Sequence, residues 1–399
     1  MKAAFIHDHK FFTNNIENQV YDTSGGAFDP KLWERYLKIF DSLIVVGRET
    51  KKVSNKLILS SRMNVDFFLI DDLKKAQDRF LKRKLVSVKL ETIIKNIDFA
   101  VIRLPSTLGY FAISVCKKVN KPYILEIVGD PFDAYWNYGN ISGKIMAPIE
   151  AFKMKYATKK AKAAIYVTKE HLQNKYPCLG LKEGISNVRL DEVVSLDYVN
   201  EFYRRDADVL KIGLIGSFLV QYKGHIEALR AIKELVENKN FKNLKLYLVG
   251  SGDSSWVKQL VLDFNIQNYV EIVGTLKSGN DGILPFLDKL HLLINPSKQE
   301  GLPRVVIEAM SRGKICLAST AGGTPELLKK EFLHRPGDWK TLSHQILKIQ
   351  ALSAEDRIRI SKINLDTGIE YLESNLQLKR EKLIIKTLRN FHESSLDAN

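Results

Sequence analysis

Two glutamates eight residues apart, Glu300 and Glu308, offer the clearest chemistry in this chain. Glu300 precedes a Gly301-Leu302-Pro303 turn, and Glu308 sits within the apolar run Val305, Val306, Ile307, Ala309, Met310, which Gly313 closes. Pro303 suits a first helical position, where its missing N–H costs nothing, and Gly313 suits the far cap. The spacing predicts a short helix from about 303 to 312, with free amides and a positive dipole end facing whatever Glu300 holds. Such an end seats a phosphate. A carboxylate at its mouth and another one to two turns down could grip polyols on either side of a diphosphate. Sugar, diphosphate and ribose have that layout. Two solvated glutamates on a surface helix are the plain alternative.

The segment TAGGTPELL, residues 320–328, follows the strand-like Ile315–Ser319 and supplies a glycine turn with a helix beginning near Pro325. Loop, helix, strand, Gly-Gly turn and helix thus follow in order. With Glu300-Gly301, Glu308-Ala309, Gly313 and Gly322-Gly323-x-x-Glu326, the stretch resembles the C-terminal signature of the retaining nucleotide-sugar glycosyltransferases of family 4. The resemblance implies the two-domain GT-B fold.

The elements that must position these residues fit that fold. Apolar runs AAFIH, SLIVVGR, DFFLID, FAVIRLP, PYILEIVGD and AAIYVTKE alternate with helical stretches, and the pattern restarts at LKIGLIGS, LKLYLVGSG, YVEIVGTL, LHLLINPS and KICLAST. Alternation of this kind predicts an α/β protein with two doubly wound, Rossmann-like parallel sheets. We expect an acceptor-binding domain over 1–190, a linker over 191–209 and a nucleotide-sugar-binding domain over 210–370. The tail, 371–399, has helical periodicity; the resemblance implies that it crosses back onto the first domain.

Three further glycine sites fall at strand ends, where doubly wound sheets bind ligands. Gly216 ends a strand, and its loop runs to Lys223-Gly224 before a helix. The family carries a Gly-Arg turn and a later Lys-Gly pair that meet the diphosphate. Lys223-Gly224 matches, but Ser217 stands in the arginine's place, and Arg304 could compensate. Gly250 and Gly252 match the family's turn beside the nucleotide, and Gly274 with Thr275 the turn against the base; for each, a simple strand–helix turn is the alternative. The resemblance then implies that Glu300 holds sugar hydroxyls, Glu308 the ribose, and Lys223 with the amides of Gly301 and Leu302 the diphosphate.

The first half is less specific. Gly25-Gly26 follows the first strand, where the family brings a glycine loop to donor phosphate and acceptor; a flexible turn is the alternative. Arg103 could meet an anionic acceptor or form an ion pair at a strand end, and Ser106 follows it in a turn facing the cleft. Many family members place a catalytic histidine or acid after the strand ending near Val128, but none of the eight histidines falls there. Asp130 could orient the acceptor hydroxyl or take its proton, or else cap the following turn. His7 and His9 read as structural loop residues, and Lys169 as a group facing the cleft. Asp206-Ala207-Asp208 imitates a metal-diphosphate motif outside any glycine turn, and reads as accidental. We expect no cofactor and no metal.

The 399 residues are 45% hydrophobic and 27% charged, an ordinary globular composition that suits two domains. No apolar run is long enough for a membrane span, no signal peptide is apparent, and three cysteines argue against a disulfide framework. We expect a cytoplasmic protein. The net charge of +15 is uneven, +10 over residues 1–200 and +5 beyond. Basic runs including Lys74, Lys75, Arg79, Lys82, Arg83, Lys84 and Lys89, and Lys153, Lys155, Lys159, Lys160 and Lys162, interleave with apolar residues. They suit an anionic membrane surface or a solvated helix face. No nucleic-acid motif accompanies them. The expected partners are a nucleotide-sugar donor and a saccharide or lipid-linked saccharide acceptor, as in cell-surface polysaccharide synthesis. The rival readings are another GT-B enzyme, such as a nucleotide-sugar epimerase, and a non-catalytic binding module.

Overall fold

The apolar runs become parallel strands, and the central ones, Phe99–Leu104, Leu292–Asn295 and Ile315–Ser319, are buried on both faces and show no inward–outward alternation. In the computed structural model, which describes residues 1–24, 26–51, 57–71, 83–137, 141–205 and 208–396, fifteen strands form two sheets. The first comprises β1 (Lys2–Asn14), β2 (Gln19–Asp22), β3 (Ser42–Glu49), β4 (Ile58–Leu59), β5 (Val65–Asp71), β6 (Phe99–Leu104), β7 (Tyr123–Ile127), β8 (Ala163–Tyr166) and β9 (Leu181–Gly184). Its parallel body runs β5-β3-β1-β6-β7-β8-β9, and β2 and β4 extend the far end of β1 as an antiparallel ribbon.

The second sheet holds β10 (Leu210–Ile215), β11 (Leu244–Val249), β12 (Val270–Gly274), β13 (Leu292–Asn295), β14 (Ile315–Ser319) and β15 (Leu333–His334), in the order β12-β11-β10-β13-β14-β15. Strand order reverses between β10 and β13. The crevice at their carboxyl ends is where such sheets take ligands. The loops carrying Lys223 and Glu300 follow these two adjacent strands.

The stretch expected to be a linker contains a helix, Leu196–Arg204, capped by the Ser195 hydroxyl. Val199 and Tyr203 from it are buried in the second core, and the Tyr203 hydroxyl donates to the carbonyl of His291 at 3.1 Å. Helices Trp339–Gln350 and Ala354–Glu370 add Leu342, Ile346 and Leu365 to that core. The helix Glu373–Leu396 then returns to the first sheet, packing on β7, β8 and β9. Its Leu376, Leu383, Ile384 and Leu388 join the first core, and Glu373 pairs with buried Arg35 at 2.6 Å. Among the described residues, no helix is long and apolar enough to cross a membrane.

Gly25, Asp206 and the basic residues Lys74, Lys75, Arg79 and Lys82 lie outside the described residues.

Candidate active site

Lys223 is placed by a turn that only glycine can complete. Gly224 has φ +81°, and a Cβ there would lie 2.2 Å from the Pro296 carbonyl oxygen. The turn is thereby held flat against the chain that leaves β13. Lys298 N–H (2.7 Å) and the Ser297 hydroxyl (3.0 Å) both donate to the Tyr222 carbonyl, tying the loop down. The outcome is an ion pair: Lys223 Nζ donates to Glu300 Oε1 at 2.8 Å. Gly216, at the end of β10, lies beside the lysine stem, 3.0 Å from where its own Cβ would be.

Beyond Glu300 the chain forms the helix Arg304–Ser311, with Pro303 just outside it in an extended conformation. Among the described residues, the amides of Gly301 and Leu302 donate to no protein acceptor. Donors at a helix start, next to a lysine, form an anion site. The Gly301 carbonyl accepts from Gly323 N–H at 2.7 Å, which locks this turn to the Gly322-Gly323 turn. The helix expected near Pro325 is a single 3₁₀ turn, Thr324–Glu326.

Glu308 lies half-buried on that helix, without a hydrogen-bond donor to its carboxylate among the described residues. Burial pushes its pKa up to about 7, against a weaker opposing pull from Arg304. The unfolded carboxyl titrates near 4.3, so between that pH and about 7 the folded chain carries the extra proton. Stability is therefore lost as pH rises through this window, and the loss is complete above it. We predict that Glu308→Gln removes this slope: urea midpoints of wild type and variant converge near pH 4 and separate above pH 7, the variant higher. Parallel pH curves would refute it.

At the turns expected beside a nucleotide, the Gly250 N–H donates to the Gly274 carbonyl at 2.8 Å, and Gly250 abuts the Gly216 carbonyl. Thr275 Oγ1 donates to the Gly250 carbonyl at 3.2 Å. Gly274 has φ +86°, and a Cβ on it would meet no atom within 4 Å, so the turn leaves an open surface. Ser217, in the place of the family's arginine, donates to the Ser251 carbonyl at 3.0 Å and accepts from Leu219 N–H. It joins two loops and carries no charge toward the lysine.

The first domain departs more from expectation. Asp130 caps the helix Pro131–Trp136 through Phe132 N–H at 2.8 Å, and its carboxylate also receives the Lys175 ammonium and the Tyr176 hydroxyl. It is buried with both oxygens engaged, so the capping alternative holds there. Ser106 likewise caps the helix Thr107–Lys118 through Gly109 N–H at 3.0 Å. Asp8, from β1, supports the same helix start and pairs with Arg48 at 2.9 Å. Arg103 is buried against Glu126, with both Nε and Nη2 at 3.0 Å from Oε2. The ion-pair alternative holds there.

Gly26 N–H donates to Asp22 Oδ2 at 2.7 Å, while its carbonyl accepts from Arg189 at 3.0 Å. Burial disfavours the Asp22 carboxylate, but His9 at 2.6 Å and the Ser24 donors overcome this and hold its pKa far below the usual range. His9 thus organises the loop that carries Gly26. His7, stacked on Phe28, is held neutral chiefly by burial.

The sequence reading missed the contacts that hold the two sheets face to face. Glu326, the last residue of the Gly-Gly-x-x-Glu pattern, accepts from the backbone amides of Lys169 (2.5 Å), Glu170 (3.1 Å) and His171 (2.6 Å). A carboxylate of one domain thus caps the helix His171–Lys175 of the other. Only the spacing of Glu326 behind the glycines signalled it. Lys169, expected at the cleft, pairs with Glu370. Asn137 meets Gln299 at 3.2 Å, and Gly301 lies against the Val128 carbonyl. Between these contacts is a cavity of about 190 Å³ lined by Arg103, Val128, Arg189, Gly301, Leu302 and Arg304. We predict that Glu326→Ala, which strips three amides of a charged acceptor, costs about 2–3 kcal/mol in denaturant unfolding. A loss within error of zero would mean water replaces the carboxylate.

Two Rossmann-like domains that close on a lysine–carboxylate pair at the second sheet's switch point define a GT-B glycosyltransferase. Residues 210–351 match the family model described as "Glycosyl transferases group 1". The chain is 37% identical to Protein CapJ of Staphylococcus aureus over 98% of each chain. It is also 27% identical to the uncharacterized glycosyltransferase MJ1178 of Methanocaldococcus jannaschii, over 53% of this chain and 52% of that one. Among solved structures, the Anabaena Alr3699/HepE protein in complex with UDP and glucose aligns at TM-score 0.67, with 16% identity over 98% of this chain and 100% of that one. A Rickettsia africae glycosyltransferase aligns at 0.61, with 18% identity over 97% and 98%. The chain belongs to the group 1 glycosyl transferases, and it is a glycosyltransferase.

Proposed function

We propose that this enzyme moves a hexosyl-type sugar from a nucleoside diphosphate sugar to a hydroxyl acceptor, with retention of configuration. The observation that carries the reading is the Lys223–Glu300 pair beside the unpartnered amides of Gly301 and Leu302. In this reading Glu300 holds sugar hydroxyls and Lys223 turns from it to the diphosphate. The two amides complete the anion site, and Glu308 accepts the ribose hydroxyls. Gly274 and Thr275 border the base, with Gly216 and Gly250 giving the nucleotide close approach to the backbone. Positive groups fixed where the departing diphosphate gains charge are a strong source of rate enhancement. They supply that charge with no metal called for.

The acceptor in this reading is a saccharide or lipid-linked saccharide of cell-surface polysaccharide synthesis, met at an anionic membrane on the cytoplasmic side. The test is thermal stabilisation by UDP-, GDP-, ADP- and CMP-compounds, repeated with Glu308→Ala, since a ligand raises stability through its affinity for the folded state. One responding nucleotide, lost in the variant, is the expected result; silence across the panel would overturn the reading. Retention is read from the anomeric coupling in the product's proton spectrum. An epimerised donor in the absence of acceptor would favour the epimerase rival.

A further inference from the structure

The helix Ile141–Lys159 packs on the first domain through Gly143, Ala147, Met154, Ala157 and Thr158. Its opposite face is apolar as well. Ile141, Ile145, Ile149, Phe152 and Tyr156 recur every three to four residues and are between 43% and 79% exposed. At about 100° per residue these five side chains fall within one narrow stripe. A solvent-facing helix surface ordinarily carries polar residues there. The charges instead lie on both flanks of the stripe: Lys144 and Lys155 on one side, Lys153 and Lys160 on the other, with Lys159 at its end, all exposed. The one acid of the helix, Glu150, is turned toward the buried side and paired with Lys153 at 2.7 Å.

We propose that this face docks on an anionic lipid bilayer, the helix lying in the plane of the headgroups. An apolar stripe rimmed by lysines complements an acyl boundary beneath negative headgroups. Nineteen residues give a contact line of about 28 Å. Trp136, half exposed at the end of the preceding helix, extends the apolar surface, and the Lys144 ammonium lies 5.8 Å from its ring. The next residue, Asn137, reaches across the cleft to Gln299. Docking by this helix therefore brings the mouth of the cleft to the headgroups, where a lipid-linked acceptor would present its sugar. That orientation rests on the transfer reading; the docking itself does not.

The test is flotation of the full chain with equimolar phosphatidylglycerol–phosphatidylcholine vesicles and with pure phosphatidylcholine. Wild type should float with the first and not the second, and release as salt is raised. Ile145→Ser with Phe152→Ser, and separately Lys155→Glu with Lys159→Glu, should each weaken binding at least about tenfold. All four side chains are exposed, so thermal midpoints should be unchanged. Flotation equal for wild type and both variants, or none at all, overturns the proposal. So does a wild-type dimer in sedimentation equilibrium that Ile145→Ser with Phe152→Ser makes monomeric, since a second copy would then cover the stripe. Stabilisation by nucleotides, measured without vesicles, reports the transfer reading independently.

Discussion

Lys223→Ala is expected to lower kcat by about 10²–10³-fold, roughly 3–4 kcal/mol of transition-state stabilisation, with a smaller effect on KM for the donor. Before the reaction the ammonium is held by Glu300 at 2.8 Å. In the proposed reaction, negative charge grows on the diphosphate as the glycosidic bond breaks, and the lysine gains more there than it gave the carboxylate. An interaction stronger in the transition state than in the ground state appears in kcat. Ser217 sharpens the expectation, because no arginine stands at that position to share the load. Lys223→Arg should recover part of the rate, since charge matters more than shape at a phosphate. An alanine variant with a raised KM and an unchanged kcat would assign Lys223 to ground-state binding and sink the catalytic role.

Gly322→Ala should damage stability and activity together. Gly322 has φ +57°, and a Cβ on it would lie 2.0 Å from the Glu300 carbonyl oxygen and 2.9 Å from that of Gly301. The left-handed conformation alone costs a residue with a side chain about 1–2 kcal/mol. The collision is with backbone, which cannot swing aside as a flexible side chain could, and overpacking of this kind adds about 1–3 kcal/mol. Relief has to come from displacing the Glu300–Leu302 turn, which carries the carboxylate proposed to hold the sugar and both amides proposed to meet the diphosphate. A shift near 1 Å at such a site costs on the order of 10²-fold in rate. Gly337→Ala is the control, with φ +86° but open space around it: it should cost stability and leave kcat intact. Equal loss of rate in both variants would mean the Glu300 turn was not displaced.

The second sheet was legible in the sequence because its strands end at turns with distinctive chemistry. Gly216, Gly250, Gly274, Lys223-Gly224 and Glu300-Gly301 announce backbone approaches that few other residue types permit. The first domain was opaque for the opposite reason. Asp130, Ser106 and Arg103 are polar residues at strand ends, and the sequence alone cannot tell an unsatisfied group from one whose partners come from afar. Their partners, Lys175, Asp8 and Glu126, lie 45, 98 and 23 positions away. The role of Glu326 was hidden likewise, since the amides it caps are some 155 positions earlier. The helix within the supposed linker was hidden by its own composition. Leu196–Arg204 interleaves Asp197, Asn200, Glu201 and Arg204 with its apolar positions, and the buried Val199 and Tyr203, with Tyr198 and Phe202 packed beside them, commit it to the second core.

The return of Glu373–Leu396 to the first sheet sets an order of events during synthesis. The strands β1–β9 are all made by residue 184, yet Leu376, Leu383, Ile384 and Leu388 complete their core only when the last helix has emerged. At about 5–20 residues per second, translation leaves that apolar surface waiting for roughly 10–40 s. The second domain, contiguous in the chain, can close first. The half made earlier is therefore the half that finishes folding, and throughout that interval the ribosome-bound chain presents a sticky sheet face that chaperones would have reason to cover.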